Sequence, residues 1–291
     1  MSGTSTRPAP PARATRRWAR RLPARVPVAY PALLVFAVAF MIPAAWVVVS
    51  SFKSEFEITG ANWIPRAATL KNYVEAVTQV NFPHYLKNSF VLATSFTVLN
   101  TLSSSLAGYA FARLQAPGKD KLFLLALSTL LIPNLVTFVP LFVLFSKLGW
   151  INTYWPWVAW GLAGGAFHIF LFRQFFLNFP RELEEAAEID GCGLFRIYWN
   201  VFLPNSLPVL ATSAIFSFAW VWGDYLYPGL LLDSERTTLA GAIATGYFSP
   251  QGFVLLAPLM AGIVLYAMPL IVVFLFVQRH IVQGFVTSGL K

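Results

Sequence analysis

Charge is what this sequence has least of. Asp, Glu, Lys and Arg make up 11% of its 291 residues, against 57% apolar residues and a mean hydropathy of +0.63. Soluble domains carry about 25% charged residues, so a water-facing surface cannot be covered here and a polytopic membrane protein is expected. Cysteine is nearly absent: the single Cys192 excludes an internal disulfide and any cysteine-based metal cluster. A phosphate-binding loop is missing as well. Gly118-Lys119 is followed by Asp120 and lacks the upstream glycine that such a loop needs. The chain is therefore expected to be a non-enzyme with no cofactor or metal of its own.

Such charge as there is sits in revealing places. The formal net charge is +9, and seven arginines (Arg7, Arg13, Arg16, Arg17, Arg20, Arg21, Arg25) precede the first apolar run, with no acid among the first thirty residues. That placement is a signal for membrane surface and topology rather than for nucleic acid. Residues 1–25 read as a disordered basic cytoplasmic tail, and the uncharged run Val26–Phe52 reads as a retained span, too long for a signal peptide. Charges then divide the remainder into segments of roughly 20 residues, the length a helix needs to cross hydrocarbon. They fall between Lys87 and Arg113, Lys121 and Lys147, and Lys147 and Arg173, then over Asn205–Leu232 with an interruption at Asp224, and over Phe253–Val277. An all-α fold of about six transmembrane helices spanning 26–291 is expected, because backbone groups in lipid must be satisfied within their own segment. With the N-terminus inside, cytoplasmic segments hold fifteen Lys and Arg and external ones six. This bias predicts both termini in the cytoplasm.

Five of the twelve acidic residues fall within Phe179–Pro208, a loop at about 178–205. Pro180 suits a helix start, and Glu182, Glu184 and Glu185 suit the positive end of its dipole. Asp190-Gly191 ends the helix, with Gly191 as the left-handed residue. Phe195, Tyr198, Trp199 and Phe202, at i, i+3, i+4 and i+7, predict one aromatic face turned toward the membrane domain, with the acidic face outward. Leu203-Pro204 closes the loop. On pattern alone this is either a solvated amphipathic loop or a rigid elbow presented to a soluble partner.

The spacing "EAAEIDG", nine residues, "VFLP" is similar to the cytoplasmic signature of ATP-binding-cassette importer permeases, with Glu185, Ala186, Ala187, Gly191, Leu203 and Pro204 matching and Val201 in place of the usual isoleucine. "WIPRAATLKNY" (63–73), "AGYAFARLQAPGK" (107–119), "IPNLVTFVPLFVLFSKLGWINTYW" (132–155) and "QRHIVQGFVTSGLK" (278–291) resemble the second permease subunit of maltose-type carbohydrate importers. The resemblance implies that the loop, including Asp190, docks as a coupling helix on a separate ATPase. It also implies that Gln283, Gly284, Gly289 and Lys291 touch the same ATPase. The implied partners are a second permease, two ATP-binding cassette subunits that use ATP and magnesium, an extracytoplasmic solute-binding protein and membrane lipid. The implied solute is a saccharide or related polyol.

Other candidates are weaker. Asn100, Trp220, Asp224 and Tyr225 are candidates for the substrate pathway, although small-residue packing, helix capping and interfacial aromatic belts explain the same residues. His168 is expected to make a helix–helix hydrogen bond. Within 233–252 the resemblance points to Thr238, Leu239, Gly241 and Tyr247 as contacts for the binding protein, a plain connecting loop being the other reading. An importer for amino acids or peptides, or a self-sufficient secondary transporter, are the alternative functions. With only Asp224 and His168 ionisable within the spans, the latter is poorly equipped for ion coupling.

Overall fold

The computed structural model describes residues 26–60 and 62–288, and in 26–29 and 277–288 the backbone only. The basic tail at 1–25, together with Gly289 and Lys291, lies outside the described residues. Contacts divide the chain into two units, Met1–Ala45 and Trp46–Lys291. The first holds the start of α1 (Val26–Ser50), whose Leu33, Leu34, Val35, Phe36 and Phe40 make it apolar on every side, as hydrocarbon requires.

The second unit holds the rest. Two short helices, α2 (Glu55–Ile58) and α3 (Lys71–Gln79), precede α4 (Phe82–Arg113). Next come α5 (Lys119–Ser128) and α6 (Asn134–Lys147), then α7 (Trp155–Ala163) and α8 (Ala166–Leu177), and then α9 (Arg181–Ile189) and α10 (Leu194–Ile197). The chain continues through α11 (Leu207–Gly223), α12 (Leu226–Leu231), α13 (Leu239–Gly246) and α14 (Leu256–Ser288). Among the described residues the only β pairing is an isolated antiparallel bridge, Phe248–Val254.

Four single helices (in α1, α4, α11 and α14) are long and apolar enough to cross a membrane, and a fifth crossing follows if α5 and α6 are counted together. The third and fourth charge-bounded segments are thus not continuous helices. In the third, Pro133 disfavours helix at Ile132 and offers no N–H, and the chain bends by 101°. In the fourth, Gly164 takes φ +74° and Gly165 is extended, which separates α7 from α8. Asp224 breaks α11 from α12, as the interruption in the fifth segment anticipates.

Small residues set how closely these helices approach. A Cβ on Gly108 of α4 would lie 2.5 Å from Cβ of Phe172 on α8, and one on Gly161 of α7 would lie 2.8 Å from Cβ of Leu99. The glycines therefore let backbones pack at distances that any side chain forbids. Asn100, 1% exposed, locks the same seam. Its Nδ2 donates to Ser217 Oγ (2.7 Å) and its Oδ1 accepts from Gly165 N–H (2.8 Å), which satisfies a backbone group freed by the α7–α8 break. Three aromatic-rich cores follow α4 along its length. Phe82 belongs to the first, with Leu239 and Tyr247; Leu92 and Phe96 to the second, with Trp157 and Trp222; and Tyr109 to the third, with Phe176 and Phe202.

Candidate functional site

The acidic loop folds as an elbow. Pro180 precedes α9 in extended conformation, and Glu182 and Glu184 occupy the first turn. At the other end Gly191 adopts φ +77°. Its N–H bonds to Glu188 C=O (2.9 Å) while Cys192 N–H reaches back to Ala187 C=O (3.0 Å). These paired bonds are the signature of a glycine-terminated helix and satisfy carbonyls that would otherwise be left open. Ala187 is buried against the bundle, whereas Glu182, Glu185, Ala186, Glu188 and Asp190 face solvent. The expectation of an outward acidic face thus holds for four of the five carboxylates.

The fifth points inward. Glu184 pairs with Arg113 at the end of α4 (3.2 Å), their side chains 15% and 7% exposed. Arg113 Nη2 also donates to the Phe176 (2.8 Å) and Phe179 carbonyls, and its guanidinium lies 5.2 Å from the Phe202 ring centroid. Two further bonds tie the elbow to α4: Tyr109 OH donates to Leu194 C=O (3.2 Å), and Tyr198 OH meets Ser105 Oγ (2.6 Å). Arg113 was legible in the sequence only as a topology charge, because nothing local pairs positions 71 residues apart.

The aromatic stripe is not one buried face. Tyr198 and Phe202 are buried, but Phe195 and Trp199 are 67% and 51% exposed and stack on each other. The segment Tyr198–Phe202 winds as a π-turn, closed by Leu203 N–H to Tyr198 C=O (2.9 Å). This wider turn shifts the inward face to Ile197, Tyr198 and Phe202. Leu203 and Pro204 lead from it into α11. Ile189, the last residue of α9, is 87% exposed, so the outward surface of the elbow carries an apolar side chain among its carboxylates.

The opposite end of α4 is also clasped. Tyr85 OH donates to Ser234 C=O (2.8 Å), His84 Nε2 to Glu235 C=O (2.7 Å), and Asn88 Nδ2 to the carbonyls of Glu235 and Thr237 (both 3.1 Å). Ser89 Oγ accepts from Leu239 N–H (2.7 Å). From the α6–α7 connection, Tyr154 OH bonds Arg236 C=O (3.0 Å) and Asn152 Nδ2 bonds Asp233. The Arg236 backbone N–H, with support from Asn152, holds the Asp233 carboxyl below the usual carboxylate range.

The remaining candidates sit as follows. Thr238, Leu239, Gly241 and Tyr247 are all buried. Thr238 Oγ1 caps α13 by accepting Gly241 N–H (3.3 Å), and Tyr247 OH bonds Ala76 C=O (2.9 Å) with its pKa pushed up to about 12 by burial. The segment is exposed before them, at Asp233–Arg236, and in the turn beyond them, with Phe248 and Phe253 49% and 73% accessible. Just after it, Glu55 caps α14 through Leu256 N–H (2.8 Å) and Ala257 N–H (2.9 Å). Asp224 Oδ1 accepts from Leu226 N–H (2.9 Å) and Tyr227 N–H (3.2 Å) as a helix cap, while Oδ2 has no partner among the described residues. Tyr225 and Trp220 are partly exposed, and Trp220 packs by Phe96 and Trp160. Asn100 is the seam lock described above. His168 Nδ1 meets Ser213 Oγ on α11 (2.9 Å), a helix–helix hydrogen bond. Gln283 and Gly284 lie on the last turns of α14.

The geometry is that of an apolar, membrane-embedded helical bundle that projects one charged, tightly anchored elbow. The profile described as "Binding-protein-dependent transport system inner membrane component" matches residues 104–287, and the chain belongs to that family. It is 32% identical over 269 residues to the diacetylchitobiose uptake system permease protein NgcG of Streptomyces coelicolor, covering 90% of this chain and 87% of that one. It is 29% identical over 264 residues to the trehalose/maltose transport system permease protein MalG of Thermococcus litoralis, covering 89% and 94%. A solved bacterial ABC transporter involved in import of the acidic polysaccharide alginate shares the fold, with a TM-score of 0.72 at 22% identity over 87% of this chain and 94% of that one.

Proposed function

We propose that this chain is a non-catalytic permease subunit of an ATP-driven, binding-protein-dependent importer of a saccharide or related polyol. The elbow is its coupling element. Glu185, Ala186, Ala187, Asp190 and Gly191 form the surface received by an ATPase subunit, Leu203 and Pro204 pass the movement into α11, and the C-terminal residues Gln283, Gly284, Gly289 and Lys291 add a second contact. ATP and magnesium are used by a pair of such ATPase subunits, and a second permease completes the pore. The elbow and both termini lie on the cytoplasmic side, in keeping with the fifteen-to-six distribution of Lys and Arg. At the other end the exposed 248–254 turn meets the solute-binding protein. Thr238, Leu239, Gly241 and Tyr247 act there as its buried scaffold. Asn100, Trp220, Asp224 and Tyr225 remain the candidates nearest the pathway. Support for the saccharide comes from the two named relatives, whose substrates differ but are both sugars.

The observation that carries the reading is the anchored elbow itself, buried through Glu184–Arg113 on one side and bare at Glu185, Ala186 and Ile189 on the other. Glu185→Lys and Gly191→Val test it. Both are expected to lower ATP-driven uptake about 10-fold or more with membrane insertion unchanged, a loss typical of an allosteric coupling energy. Wild-type uptake in both variants contradicts the coupling role. Uptake driven by an ion gradient, with this chain reconstituted alone, contradicts the importer class. Purification from the native membrane, followed by mass spectrometry of the solute on the co-purified binding protein, tests the substrate. A saccharide or polyol supports the reading, and a peptide or amino acid contradicts it.

A further inference from the structure

The two clasped regions lie at opposite ends of one helix. α4 runs unbroken for 32 residues, its one proline in the first turn, or roughly 48 Å at 1.5 Å per residue. Its last turns hold the elbow through Arg113, Tyr109 and Ser105, and its first turns hold the 234–239 loop through Tyr85, His84, Asn88 and Ser89. The distal bonds have a particular chemistry. Four of the five are side chains of α4 donating to loop backbone carbonyls, and the fifth is a serine oxygen accepting a loop N–H. Ser234 and Glu235 stay exposed, whereas Arg236 bonds back to Asn152 and Thr238 and Leu239 are buried, so α4 fixes where this loop sits without using its side chains. Midway, Asn100 and the glycine seam join α4 to α8 and α11, so the rod cannot slide past its neighbours. Packed cores of this kind move as units rather than deforming continuously.

We propose that α4 is a strut that makes the elbow and the 234–239 loop one moving body, with Arg113 and Asn88 as the positioning residues at its two ends. This rests on the reading above, in which the elbow meets the ATPase and the far end meets the binding protein. Each acts by holding a segment to the rod. The strut differs from simple scaffolding in one respect: cutting the distal clasp breaks communication between the ends while both ends remain folded.

The test uses the complete complex in lipid nanodiscs, with ATPase activity measured with and without the solute-loaded binding protein. Asn88→Asp keeps the side chain's shape but removes both donors and sets a carboxylate against two carbonyls. It is expected to reduce the ratio of stimulated to basal ATPase activity about 10-fold, with basal rate and complex yield retained. Arg113→Lys loses the planar fork and is expected to reduce the same ratio. The double variant is expected to be no worse than the more severe single one, since a rod already cut at one end carries nothing. A wild-type ratio in Asn88→Asp, or fully additive losses in the double variant, overturns the strut. Should Asn88→Asp fail to assemble, Tyr85→Phe, which deletes only the bond to Ser234, is read in the same way. If the wild-type complex itself shows no stimulation by binding protein, it is the importer reading that fails.

Discussion

Arg113 does at one position what the elbow needs throughout. Its guanidinium is nearly out of water, yet it faces a carboxylate, two carbonyls and an aromatic ring. Buried charges are tolerated when they are paired and hydrogen-bonded, and they become costly once a partner is lost. Arg113→Ala strands Glu184 and frees two carbonyls, so a loss of about 3 kcal/mol in elbow docking is expected. Glu184→Gln keeps an oxygen to accept from the guanidinium and is expected to cost less. Limited proteolysis within 181–194 ranks the two, and equal cleavage rates in both variants and wild type contradict the role given to Arg113. Gly191 works differently. A Cβ there would meet nothing within 4 Å, so replacing it meets only the backbone penalty of φ +77°, about 1–2 kcal/mol.

At the scale of elements, the α4–α8 seam is where small residues matter most. Gly108→Ala would place a methyl group 2.5 Å from Cβ of Phe172 and 3.0 Å from Arg173 N, so one helix must move. Overpacking of this kind costs about 1–3 kcal/mol. The expected outcome is a lower melting temperature of the detergent-purified subunit, and an unchanged one contradicts the seam. This scale also shows what the sequence could and could not display. The left-handed Gly191, the outward carboxylates and the break at Asp224 were legible because each depends on neighbours within a few residues. The 101° bend at Pro133 and the gap at Gly164-Gly165 were visible as breaker residues, yet charge spacing alone had read through them. The split of Phe195 and Trp199 from Tyr198 and Phe202 could not be read, since a π-turn and an i, i+3, i+4, i+7 stripe share one pattern until the turn is closed. Arg113–Glu184, Glu55 on α14 and the carbonyl clasp on 234–237 join positions far apart in sequence, where periodicity carries no information.

For the whole molecule, low charge and an anchored charged elbow are two sides of one design. A chain dissolved in lipid can offer few handles to a soluble motor, and here the handle is a nine-residue helix tied at its root by an ion pair and two tyrosine hydroxyls. The central claim is that this handle faces the compartment where ATP is hydrolysed and is covered by another protein there. Ile189 is its most exposed apolar residue. In a Cys192→Ser background, Ile189→Cys gives one thiol at the tip, to be probed with a membrane-impermeant maleimide. We expect labelling in inside-out vesicles stripped of ATPase subunits, protection when those subunits are added back, and none in intact cells. Labelling from outside intact cells would contradict the account.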